Sequence, residues 1–297
     1  HCQCRRQRQM CIRDSHLGIR HSLLNGSFTG YADLRRYNVI IMPSGYLEMS
    51  DYEVNALNDW IKQGGTLIAH NRSSRFIASN ETLGDVKQLQ DVLDKSIDYN
   101  FDLLREIYAL EDNLDQEAAL KHIVDLETTY PWELNETNYS EDELKNRDKW
   151  QSIFMPSGAF VAGRTDQKHW LTFGTPKTLP VLYGNYPVLM TGNNAEAPIR
   201  IGELVENSDV NEFRTINWST LPAGKDIKVR MSGLVWPEAA QRIANSAYLT
   251  REQVGKGQII LFAGEPNFRG STRGTNRVWL NAIVYGPGLG TSPRIQL

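Results

Sequence analysis

After residue 11 the chain has no cysteine; all three (Cys2, Cys4 and Cys11) lie in its opening stretch. A cysteine-free body carries no record of a redox compartment. No run approaches 18 consecutive apolar residues, which excludes a helical membrane span. Neither charge dominates: 32 basic against 35 acidic residues give a net charge of −3, so there is no global basic footprint for nucleic acid. Gly-x-Gly-x-x-Gly and Walker patterns are missing, and with them the phosphate-cradling loops. Internal repeats and low-complexity tracts are missing too. What remains is 297 residues, 40% hydrophobic and 23% charged, long enough to bury a sizeable α/β core.

The first fifteen residues, HCQCRRQRQMCIRDS, hold the three cysteines, four arginines and one acid. Without them the chain has 28 basic and 34 acidic residues, a net of −6. So abrupt a change of composition reads as foreign sequence, and Met10–Ser15 resembles a translated sequencing adapter. A Cys-x-Cys zinc or redox motif is the alternative, but it would lack a fourth ligand. The segment is set apart from the fold, and the native chain is expected to be a fragment whose own N-terminus lies upstream.

Val39–Met42 is a short apolar run suited to a parallel strand buried on both faces. Ser50-Asp-Tyr-Glu53 reads as a capping box, opening a helix with Val54, Leu57, Trp60 and Ile61 on one side. Gly64-Gly65 stops it, and Thr66–Ala69 is the next strand, which completes a βαβ unit. A weaker strand is expected over Gly18–Leu24. From about residue 80 to 150 the count is 19 acids against 7 bases, with helical spacing in Val86, Leu89, Val92 and Leu93, then Leu103, Leu104, Ile107 and Leu110. This predicts an inserted helical region with an acidic, solvated face. Residues 153–235 read as short strands and loops. Ala247–Val254 and Gln258–Ala263 flank Gly255-Lys-Gly257 as a β-hairpin. A loop over Glu265–Arg273 follows, and then a helix capped by Thr275 or Asn276.

A zinc peptidase needs imidazoles and a carboxylate aimed at one point, as in His-x-x-Glu with a distant His. None of the six histidines has Glu at the third following position. His122-Ile-Val-Asp125 is the nearest mimic, so no metal site and no cofactor is expected in this chain. At the turn after Thr66–Ala69, Ser73 and Ser74 are candidate nucleophiles with His70 as base, although the Gly-x-Ser-x-Gly elbow spacing is absent. The plainer alternative is that both serines cap the following helix. In the loop Asn267–Asn276, Arg269 and Arg273 stand beside a helix N-terminus and form a candidate anion-binding pair. Alternatively they bind carbonyls and acids within the fold.

Several stretches recur in a known order: Asp33–Gly45, Trp60–Ala69, His169-Trp-Leu-Thr-Phe-Gly174, Gly255–Phe262, Asn267-Phe-Arg-Gly270 and Arg273-Gly-Thr-Asn276. Together, across most of residues 16–290, they resemble the C-terminal class I glutamine amidotransferase-like domain of some large bacterial zinc carboxypeptidase-family proteins. The resemblance implies a flavodoxin-like, open and mostly parallel α/β sheet, N-terminally truncated, over residues 16–297. That sheet would carry the acidic helical insertion and the strand- and loop-rich region. True class I amidotransferases place a Cys at the elbow and a His-x-Glu pair after a later strand; here Asn71–Ser74 holds no Cys, and Gly264-Glu-Pro266 no His. The resemblance thus implies a non-catalytic accessory domain whose partner is an upstream peptidase domain of the same protein. Zinc is expected only in that missing domain, and a peptide or small anion is the expected small partner. By the same resemblance the parent protein would be periplasmic or secreted.

Overall fold

The computed structural model describes residues 22, 24, 33–45, 48–110, 140–207, 214–270 and 272–289. The fifteen-residue opening segment, the strand expected over Gly18–Leu24, and His122 with Asp125 fall outside these residues, Ser22 and Leu24 excepted. The described strands are β1 (Val39–Met42), β2 (Thr66–His70), β3 (Lys87–Gln88), β4 (Ala159–Thr165), β5 (Thr178–Tyr183), β6 (Leu189–Met190), β7 (Ala195–Ile201), β8 (Glu203–Glu206), β9 (Arg214–Ile216), β10 (Ser219–Leu221), β11 (Lys225–Lys228), β12 (Arg230–Ser232), β13 (Ala247–Val254) and β14 (Gly257–Phe262). The α-helices are α1 (Asp51–Lys62), α2 (Arg72–Ala78), α3 (Ser96–Leu110), α4 (Glu141–Ser152), α5 (Pro237–Ile243) and α6 (Arg273–Tyr285).

The expected βαβ unit is present. Ser50 caps α1 and closes the capping box with Glu53, whose carboxylate accepts from the Ser50 N–H at 2.8 Å. Val54, Leu57, Trp60 and Ile61 then line the buried side of α1. β1 and β2 pair in parallel, and β2 pairs in parallel with β14, so Met42, His70 and Phe262 end at one edge of the sheet. β2 and β14 are buried at every position, as strands covered on both faces should be. β1 alternates between partly and fully buried because, among the described residues, it is an edge strand. This is the open α/β sheet that was expected, with a parallel block of three strands, β1, β2 and β14. Beyond that block, β14 turns through Gly255 and Lys256 to antiparallel β13, and β7, β4 and β5 continue the sheet antiparallel.

The acidic segment behaves differently from its sequence pattern. Over Val86–Lys95 the helical spacing gives a two-residue strand and two 3-10 turns, because Lys87–Gln88 pairs with β6 and the Leu89 N–H donates to the Val188 carbonyl at 2.9 Å. Pairing with a neighbouring strand overrides local periodicity here. Nor is the acidic face wholly solvated. Glu106 on α3 receives a bidentate grip from buried Arg200 on β7 at 2.7 and 2.6 Å. Asp148 on α4 is held likewise by Arg242 on α5 at 2.8 and 3.0 Å, with both side chains under 10% exposed. Glu252, buried on β13, accepts the Asp85 N–H through both oxygens at 2.9 and 3.0 Å. The last helix is capped by Thr272 and begins at Arg273, three to four residues earlier than expected.

Candidate functional site

Open α/β sheets place reactive groups at the carboxyl ends of parallel strands, and the β2–α2 turn lies there. Asn71 follows the last residue of β2 and precedes the first of α2 with φ 48° and ψ −109°, a region costly for any residue with a Cβ. That is the sharp strand-to-helix elbow on which nucleophiles are displayed. Its occupant is a carboxamide. Asparagine tolerates positive φ better than most residues, which explains why the elbow can persist without glycine.

The turn is stitched down on both sides. The Asn71 N–H donates to the Phe262 carbonyl at 2.9 Å, and the Ser74 hydroxyl donates to the same oxygen at 2.8 Å. The Ser73 hydroxyl donates to the Pro43 carbonyl, just beyond β1, at 2.7 Å. Both serines are fully buried. Neither hydroxyl caps α2, whose N-cap is Asn71 and lacks a side-chain cap bond. Each serine proton is directed at a main-chain oxygen, whereas a nucleophile must hand its proton to a base. The His70 ring is buried edge-on against Phe262, centroids 5.4 Å apart, and 6.2 Å from Trp279. Histidine and serines thus share one turn, and the serine hydroxyls are bonded to main-chain carbonyls.

Arg269 and Arg273 are both exposed, and neither forms an ion pair among the described residues. Arg269 has φ 53°, and its guanidinium lies 5.0 Å from the Phe268 ring centre. The Thr272 and Thr275 hydroxyls donate to the Pro266 carbonyl at 2.9 and 2.6 Å, tying the loop to the start of α6. Beside it Asn267 is 1% exposed, and both polar atoms of its amide lack hydrogen-bond partners among the described residues.

A second polar region escaped the sequence reading. Between α3 and β7 lies a cleft of about 260 Å³, lined by Asp102, Arg105, Glu106, Thr191, Asn193, His169 and Glu196 among others. His169 Nδ1 accepts the Leu171 N–H at 3.1 Å, which leaves Nε2 to donate to Glu196 at 3.2 Å. Glu196 also receives Arg251 at 3.2 Å, and the His169 hydrogen bond holds its carboxyl below the usual range. Burial raises the Asp102 carboxyl. On the far side of Arg200, burial pushes Arg164 down to about 10, and its guanidinium donates to the Gly202 carbonyl and Asn245. Glu106 and Arg200 are 94 residues apart, so no local pattern could pair them. Among the described residues, no group of three or more His, Cys, Asp or Glu side chains is placed to hold a metal ion.

Relief of the elbow strain should be measurable. Asn71→Gly should stabilise the fold or leave it unchanged, and Asn71→Ala should cost about 1 kcal/mol or more; denaturant midpoints distinguish the two. Asp102 gives a pH test. A carboxyl with a raised folded pKa adds stability below its ordinary range and loses it as pH rises through the folded value. Asp102→Asn should therefore raise the melting temperature at neutral pH, and the gain should vanish in acid.

No family model and no curated protein matches the chain. Among solved structures, the cytoplasmic protein STM3548 from Salmonella typhimurium is 10% identical, with 94% of this chain and 85% of that chain covered and a TM-score of 0.41. A ThuA-like protein from Bacteroides uniformis is 11% identical, with 93% and 81% covered and a TM-score of 0.42. At that similarity neither assigns a role to any residue.

Proposed function

We propose that this chain is a non-catalytic accessory domain of a zinc metallocarboxypeptidase-like protein, and that it docks on, or shapes access to, a peptidase domain upstream. The single observation that carries the non-catalytic reading is the elbow. Its backbone has the displayed geometry, its occupant Asn71 is not a nucleophile, and the neighbouring hydroxyls of Ser73 and Ser74 are committed to carbonyls. The peptidase link rests on the ordered motif set from Asp33–Gly45 to Arg273–Asn276, and residues 1–15 are read as adapter-derived on composition. The genomic reading frame upstream of Ser15 tests both. A native sequence encoding His-x-x-Glu and a later His is expected there, and its absence would remove the peptidase link.

The rival hydrolase reading uses Ser73 or Ser74 with His70. A fluorophosphonate probe should leave the chain unlabelled. Labelling that disappears in a Ser73→Ala/Ser74→Ala double variant would establish a serine nucleophile and end the non-catalytic reading.

One observation favours a second binding role. Arg269 and Arg273 stand exposed and without ion pairs among the described residues at the start of a 13-residue helix, where free N–H groups and the helix dipole favour an anion. Phosphate should raise the melting temperature of the native chain and not that of an Arg269→Ala/Arg273→Ala variant. An equal shift in both would dismiss the pair as an anion site.

A further inference from the structure

One face of the protein is apolar where a monomer has no use for it. The run 230–237 follows β11 and leads into α5, and Val235 is its only buried residue. Met231, Leu234 and Trp236 in this run are 44%, 66% and 50% exposed. The surface continues onto the end of α4, where Trp150 is 51% and Ile153 74% exposed. The Phe154 ring bridges the two parts, 5.0 Å from Trp150 and 6.2 Å from Trp236. Phe160 on β4, 39% exposed, extends it beside β12, since Phe160 and Ser232 are paired in register. Soluble monomers rarely expose a contiguous apolar patch beyond a few hundred Å². Given the area a large aromatic or aliphatic side chain covers, these six exposed residues offer on the order of 600 Å².

β12 lies at the centre of this face. All three of its residues are exposed, and among the described residues it pairs only with β4, which leaves its other edge open. An unpaired edge bordered by tryptophans, methionine and leucine is a template for another strand. We propose that the occupant is a second copy of this chain, paired through β12 and the surrounding apolar residues about a two-fold axis.

Two observations favour a second copy. The open edge can pair antiparallel with itself about Met231, which sets Arg230 opposite Ser232 of the partner subunit and brings no like charges face to face. Finally, about 600 Å² per copy approaches the roughly 800 Å² that each partner contributes to a standard stable interface, before any backbone contribution from the paired strands. The composition is that of interface cores, with aromatic residues and methionine at the centre.

The test is the mass of the full chain in solution by light scattering and sedimentation equilibrium at micromolar concentrations. The expected species is a dimer, at twice the chain's 33.7 kDa. Leu234→Glu/Trp236→Glu should weaken dimerisation about a hundredfold or more while the circular dichroism spectrum and melting midpoint of the monomer are retained. Met231→Pro, which removes an edge donor, should weaken it independently of apolar area. Val284→Glu, at an exposed apolar position on α6, should leave the dimer intact. A wild-type chain that stays monomeric across the range overturns the proposal, as does a dimer that persists in both patch variants. A monomer that instead binds anionic phospholipid vesicles through this face, with binding lost in Leu234→Glu/Trp236→Glu, also overturns it.

Discussion

The carbonyl of Phe262 accepts two donors from the turn that leaves the neighbouring strand: the Asn71 N–H and the Ser74 hydroxyl. With that one oxygen, the end of β14 fixes both the direction in which the chain leaves β2 and the first turn of α2. The Ser73 bond to Pro43 repeats the device on the other flank, towards β1. Three parallel strand ends and one short helix are thereby joined at the sheet edge where α/β proteins usually bind ligands. The backbone strain at Asn71 is tolerable because its surroundings over-determine it. Such a turn is a rigid platform. In this chain the platform presents a carboxamide, and the hydroxyls around it serve as fasteners.

Away from that edge, charge does the joining. The bidentate Arg200–Glu106 and Arg242–Asp148 pairs bind helices of the acidic segment to the sheet and to α5. Removal of one member of the buried Arg242–Asp148 pair strands the other, a loss usually of about 3–5 kcal/mol. Asn100 adds a neutral tie from α3 to β10: its carbonyl oxygen accepts the Thr220 N–H at 2.7 Å, and its amide donates to the Thr220 hydroxyl at 3.0 Å. The described helices of the acidic segment are therefore docked into the fold, α3 on β7 and α4 on α5, and the cleft beneath α3 is a consequence of that docking.

The parallel block was legible because its signals are local. A capping box, a glycine pair, a β-branched run and a glycine hairpin each act within a few residues, and α1, β2 and the β13–β14 hairpin stand where those signals put them. What the sequence could not disclose is non-local. Leu89 adopts its turn because of Val188, and Glu106 is buried because of Arg200, 94 residues away. Ser73 and Ser74 looked like helix caps or nucleophiles because both roles place hydroxyls near a helix start. Their carbonyl acceptors lie 30 and 188 residues away, beyond any spacing rule. Asn71 carried a readable clue, being one of the few residue types that accept positive φ immediately after a strand.

Amide hydrogen exchange at Asn71 reads the rigidity of the elbow directly. If the bond to the Phe262 carbonyl holds the turn as described, the Asn71 amide should exchange only through global unfolding, with the same protection as the amides of β2 and β14. Exchange at Asn71 that is orders of magnitude faster than in those strands would show that the turn opens by itself, and would contradict the claim that it is a fixed platform.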